Sequence, residues 1–154
     1  MSAAQFARYP GAQIFYFDKG ASSFVLAQAS GAAYYDIGTD QTIAFCPLAQ
    51  VDDEHEREWA LEWLEDTLFL QGVTVTPGQR HAVWRALSLL GAGTGRTITD
   101  LVATVQDERV RAGLQHYTLA GGAGPLLDAA QDSLRDSPFV VFEMETLLSR
   151  GAKD

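Results

Sequence analysis

Two carboxylates stand where an α/β sheet would place its chemistry. Asp18 closes the apolar run Ala12-Gln13-Ile14-Phe15-Tyr16-Phe17, and Glu143 closes Phe139-Val140-Val141-Phe142. Both runs read as strands, and ligands of open α/β sheets bind outside the carboxyl ends of the strands. A carboxylate in that position can hold a magnesium ion or orient a water for phosphoryl transfer. The plainer role is to cap or solvate a strand end, and it is the default for both residues.

Other suggestive patterns fall short of their mechanisms. Gly91-Ala92-Gly93-Thr94-Gly95-Arg96-Thr97 invites comparison with a phosphate loop, which needs four residues between its glycines, then Lys and Ser/Thr, on a strand-to-helix turn. Here the spacing is short, arginine stands for lysine and a helix precedes it, so the segment reads as a helix-to-helix linker. His55-Glu56-Arg57-Glu58-Trp59 starts like a zinc-protease helix but has tryptophan at the second histidine position, and a catalytic zinc takes three protein ligands. His81 and His116 stand alone, and Cys46 has no ligand or base beside it in sequence, so no metal site is expected. Cys46 fits a small buried hydrophobe better than a nucleophile. Trp59, Trp63 and Trp84 could form a stacking platform, but their spacing among leucines points to the core.

The elements that would position the two carboxylates follow from periodicity. MSAAQFAR is helix-forming and stops at Tyr9-Pro10-Gly11; residues 12–17 form a strand, apolar on both faces as in a covered parallel sheet. Ser22–Ala29 reads as a short helix capped by Ser22 or Ser23, Ala33–Ile37 as a second strand, Gly38-Thr39-Asp40 as a turn, and Ile43-Ala44-Phe45 as an edge pairing. From Glu54 to Gln71, Trp59, Trp63, Leu64, Thr67, Leu68 and Leu70 form an apolar stripe opposite Glu56, Glu58, Glu62, Glu65 and Asp66. Thr76-Pro77-Gly78-Gln79 is a capping box opening a helix with Val83, Trp84, Leu87 and Leu90 inward. Thr97–Asp100 repeats that logic, and a further helix covers Glu108–His116. Gly121-Gly122-Ala123-Gly124-Pro125 reads as a flexible connection before the strand 139–142, and Ser149–Asp154 as a frayed tail.

Composition narrows the partners. With 20 acidic against 11 basic residues and a net charge of -9, the surface repels phosphate backbones, so direct nucleic-acid binding is not expected. No apolar run reaches the roughly 18 residues of a membrane span, no signal peptide is visible, and the lone cysteine fits a reducing cytoplasm.

The residues quoted above also match a family pattern. Phe6-Ala7-Arg8-Tyr9-Pro10-Gly11-Ala12-Gln13-Ile14-Phe15-Tyr16-Phe17-Asp18-Lys19-Gly20 resembles the segment that follows the phosphate loop in TrbE-type conjugative-transfer and type IV secretion ATPases. So do Tyr35-Asp36-Ile37-Gly38, Ala44-Phe45-Cys46-Pro47-Leu48, Glu58–Leu64, Gln71–Pro77, Tyr117-Thr118-Leu119 and Phe142-Glu143-Met144-Glu145, in order along nearly the whole chain. The resemblance implies an α/β fold: a partial RecA-like P-loop NTPase sheet over residues 1–150, with sheet segments near 12–45 and 138–145, a predominantly helical insertion at about 54–116, and a tail at 151–154. It implies that Asp18, Lys19, Gly20 and Glu143 lie near the nucleotide. The family's phosphate loop and its Asp-Glu strand find no match, so the expectation is a truncated or cut piece that does not hydrolyse ATP alone, although the parent family uses ATP and magnesium. Expected partners are the full-length transfer ATPase or secretion-channel proteins at the inner face of the inner membrane. The alternative is a stand-alone interaction module that modulates the full-length ATPase. An incomplete sheet with exposed faces further predicts self-association.

Overall fold

A computed structural model describes residues 3–6, 9–39 and 43–150. The expectations for residues 1–2, 7–8, 40–42 and 151–154, the tail included, lie outside the described residues. The chain divides into two compact units, Met1–Ile43 with Leu134–Asp154 and, inserted in chain order, Ala44–Ser133.

The first unit is built on three parallel strands: β1 (Ile14–Asp18), β2 (Ala33–Asp36) and β3 (Phe139–Glu143), in the order β1-β3-β2. The unit also holds helices α1 (Ala3–Phe6), α2 (Phe24–Ser30) and, after β3, α8 (Glu145–Arg150). β3 is apolar on both sides and buried at every position, as a central strand must be. It registers Ile14 to Asp18 against Phe139 to Glu143 on one side, and Ala33 to Asp36 against Val140 to Glu143 on the other. α2 covers one face, with Ala27 in the core beside Phe139 and Val141 and the Phe24 ring edge-on to Tyr34 at 5.1 Å. On the opposite face Phe17, Phe142 and Tyr35 stack across the three strands, at centroid distances of 5.3 and 5.8 Å.

Four expectations for this unit need correction. β1 is not a covered strand: it lies at the sheet edge, and Phe15, Tyr16 and Phe17 are exposed, the last at 67%. Its apolar run is as hydrophobic as that of β3, and composition does not record which strand receives neighbours on both sides. Ser23 precedes α2 as its N-cap residue but makes no side-chain cap bond, because its hydroxyl is committed to Asp18. Ile43-Ala44-Phe45 is not a strand; Phe45 instead exchanges main-chain bonds with Leu126 and Ala129, and Ala44 accepts from the Ser133 amide. The chain from Ser149 is not a simple tail, since α8 continues through Arg150.

The second unit consists of α3 (Glu54–Leu70), α4 (Pro77–Ala92), α5 (Ile98–Thr104), α6 (Glu108–Leu114) with a 3₁₀ turn at Gln115–Tyr117, and α7 (Gly124–Leu127). Leu64, Leu68, Val83, Leu87, Leu101 and Leu114 form the centre of its core. The inward stripe of α3 is Ala60, Leu61, Leu64, Thr67 and Leu68. The expected stripe is therefore rotated: Trp59 is 50% exposed and Leu70 faces solvent. In α4, Val83, Ala86, Leu87 and Leu90 are buried, while Trp84 packs at the margin. Both capping boxes form, Thr76 with Gln79 and Thr97 with Asp100. A Cβ on Gly91 would sit 2.5 Å from the Val51 carbonyl oxygen, so glycine permits that approach. Gly121–Pro125 is no loose connection either: Cβ atoms on Gly121 and Gly124 would overlap the carbonyls of His116 and Thr118, and α7 starts inside it. Among the described residues no helix is long and apolar enough to cross a membrane.

Candidate functional site

The register of the sheet aligns Asp18, Glu143 and Asp36 in one row at the carboxyl ends of β1, β3 and β2. Strand alternation puts the three on the face covered by α2. The chain leaves β1 through Lys19-Gly20-Ala21, where Gly20 (φ 86°) and Ala21 (φ 53°) both take left-handed backbone. That turn directs amides and hydroxyls back toward the strand ends.

Asp18 is 7% exposed and surrounded by donors. Its Oδ1 accepts from the Lys19 amide (2.9 Å) and the Ser22 hydroxyl (2.6 Å), and its Oδ2 from the Ser23 amide (2.6 Å) and Ser23 hydroxyl (2.5 Å). The Ser22 hydroxyl, followed by that of Ser23, pulls the Asp18 pKa down to about 2 against the opposing effect of burial. Glu143 is buried too: Oε1 accepts from the amides of Gly20 (3.1 Å) and Glu145 (2.8 Å), and Oε2 from that of Ala21 (2.5 Å). Burial works to raise its pKa, but the amides of Glu145, Ala21 and Gly20 outweigh it and hold the carboxyl below its usual range. The Tyr34 phenol on the same face is pushed up by burial and by the charges of Glu143, Asp36 and Asp18. Asp36 closes the row, and its Oδ1 is buried without a hydrogen-bond partner among the described residues.

The structure thus brings together all four residues singled out from sequence. Lys19 and Gly20 enter through their amides, on Asp18 and Glu143 respectively, and the Lys19 residue is exposed. Sequence reasoning missed Ser22, Ser23 and Asp36. The signal for the serines was the spacing, since hydroxyls four and five residues after a strand-end aspartate can return to it across a glycine turn. No comparable signal marks Asp36, whose place in the row depends on a strand 107 positions later in the register pair Asp36↔Glu143.

Chemically the arrangement is an anchor. Four donors fill the acceptor sites of Asp18, and three are aimed at Glu143, so neither carboxylate has a free oxygen face to offer a cation. Among the described residues no group of three or more His, Cys, Asp or Glu side chains could hold a metal ion. The amides of Lys19 to Ala21, which a phosphate would need, point at these carboxylates. The row does not fit magnesium or a triphosphate.

The remaining sequence candidates are committed elsewhere. Gly93–Thr97 joins α4 to α5, and the Arg96 guanidinium donates to the carbonyls of Ala49, Leu90, Gly93 and Gly95. Those bonds consume the charge a phosphate loop would present. Cys46 is a buried free thiol donating to the Arg96 carbonyl at 3.3 Å, and burial raises its pKa, which suppresses the nucleophilic thiolate. Asp128, also unanticipated, is buried and ties α5 to the following turn by accepting from the Thr99 amide and hydroxyl and the Leu119 amide.

Comparison with known proteins gives three informative likenesses. The chain is 42% identical over 157 residues to a probable conjugal transfer protein TrbE of Sinorhizobium fredii, covering 99% of this chain and 24% of that protein. It is 42% identical over 159 residues to the conjugal transfer protein TrbE of Rhizobium radiobacter, covering 99% of the chain and 19% of the relative. Its fold matches VirB4 of Thermoanaerobacter pseudethanolicus with a TM-score of 0.65 at 15% identity, over 90% of this chain and 43% of that one. The chain therefore spans about a quarter or less of the TrbE relatives' length. No family model matches it.

Proposed function

Because the chain belongs to the TrbE family of conjugal transfer proteins, we propose that it supplies framework of an ATP-driven transfer motor rather than the phosphate-handling centre. The observation that carries this reading is the saturation of Asp18 and Glu143 by donors of their own chain. Phosphoryl transfer depends on amides, a lysine and magnesium aimed at the phosphates. In this chain the strand-end amides are spent on carboxylates, and the carboxylates on shaping the turn after β1. Asp18, Lys19, Gly20 and Glu143 then lie beside a nucleotide held by other parts of a TrbE protein, keeping the turn rigid. Such a motor works at the cytoplasmic face of the inner membrane with secretion-channel proteins, without direct nucleic-acid binding by this segment.

Turnover with magnesium-ATP and calorimetric titration with nucleotide test the reading. The expected result is no turnover and no saturable heat from the chain alone. Magnesium-dependent turnover that disappears in Asp18→Ala would overturn it.

A second reading is a module that binds and modulates a full-length transfer ATPase. It is favoured by the core of the second unit, which is built from residues of that unit alone. Co-purification of this chain with full-length TrbE, retained when Asp18 is replaced, supports that role; its absence counts against it.

A further inference from the structure

The second unit carries a groove of about 510 Å³ whose lining includes Phe45, Pro47, Glu56, Trp59, Trp63 and Asp132. Trp59 and Trp63 occupy successive turns of α3, with rings inclined by 13° and centroids 6.3 Å apart. Glu56 lies one turn before Trp59 on the same helix face. Asp132 comes from the opposite wall, where its Oδ1 accepts from the Cys46 amide at 2.7 Å and is thereby fixed. Two carboxylates and two indoles line this volume, and no lysine or arginine does among the described residues.

We propose that this groove binds an arginine side chain on a basic segment of a partner protein. Indole faces carry negative potential and attract cations, guanidinium above all, because it also stacks as a plane. Nearby carboxylates add a charge-assisted bond to the same group, and Phe45 and Pro47 offer apolar surface to the aliphatic stem. The volume suits one or two side chains. The same unit shows this chemistry satisfied internally: the Arg57 guanidinium lies 5.5 Å from the Trp84 ring centroid. Trp84 has its cation from its own chain, whereas the groove between Trp59 and Asp132 is lined with the complementary groups and, among the described residues, lacks one. The net charge of -9 favours approach of a basic segment over a phosphate-bearing one.

The test titrates the full chain with a nine-residue peptide carrying three arginines, following tryptophan emission and heat, against matched peptides with citrulline, lysine or glutamate in their place. Expected is saturable binding of the arginine peptide with an emission change, weaker binding of the lysine peptide, and none of the other two. Trp59→Ala and the double variant Glu56→Gln/Asp132→Asn should each weaken binding by roughly tenfold, in the range of a desolvated cation–π or charge-assisted contact. The surface variant Glu58→Gln/Glu62→Gln removes the same charge outside the groove and should bind unchanged. The proposal is overturned if the citrulline peptide binds equally, if lysine matches arginine, if both groove variants bind as the parent does, or if the surface variant loses as much as the groove variant.

Discussion

Asp18 and its donors set the energetics of the strand-end row. Asp18→Ala leaves the amides of Lys19 and Ser23 and two serine hydroxyls without their charged acceptor. A loss of about 3 kcal/mol is expected, because hydrogen bonds to charged groups contribute about 1.5–3 kcal/mol and unpaired buried donors add desolvation; urea titration measures it. The same contacts fix a pH dependence. Folded Asp18 keeps its charge down to about pH 2, against an ordinary value of 3.8. The unfolded chain therefore takes up that proton first on acidification, and the stabilisation, complete above the ordinary value, drains away as pH falls through about 2. Asp18→Asn should flatten the acid limb of a stability–pH curve between those two values; an unchanged limb would show that the serine hydroxyls do not hold the charge. At this scale the sequence disclosed which carboxylates stood at strand ends, since that follows from local runs. It did not disclose that they would be saturated, because the Glu143 donors Gly20 and Ala21 lie 123 and 122 residues away.

Elements with local signals were the most legible. Thr76-Pro77-Gly78-Gln79 and Thr97–Asp100 announce helix starts through bonds spanning three residues, and both form as read. Thr97→Ala should cost about 1 kcal/mol, the usual value of such a cap. Asp107→Ala should cost more, since that carboxylate accepts both the Val110 amide at the start of α6 and the side chain of Gln79 from the α4 box. Thermal midpoints of the two variants give the ranking. Rotational setting was less legible. The tryptophans of α3 share the helical period with its leucines, and period alone leaves a phase open; the close seat of Gly91 against Val51 is one long-range contact that helps fix it. The edge position of β1 escaped for the same reason, being decided by pairing partners and not by its own residues.

At the scale of the molecule, the sheet unit exposes Phe15, Phe17, Phe24 and Val25, and β1 has a pairing partner on one side only. Edges and apolar faces of this kind drive association. The chain should sediment above its 16.7 kDa monomer mass at high concentration, and Phe17→Lys, placing a charge on the edge strand, should shift it back. Parallel sedimentation of both proteins decides this, and a parent that stays monomeric contradicts it. The strand order has a further consequence, in time and not in space. β1 and β2 meet only through β3, so the first pairing, Ile14 with Phe139, closes a loop of more than a hundred residues. Until Phe139–Glu143 leaves the ribosome, the two early strands have no partner, while the helical unit, complete in chain order by Ser133, already holds its whole core. Long-range closure is slow compared with helix packing, so amides of Leu64, Leu87 and Leu101 should gain exchange protection well before those of Val140 and Val141, leaving the sheet as the last region of the nascent protein to be sealed.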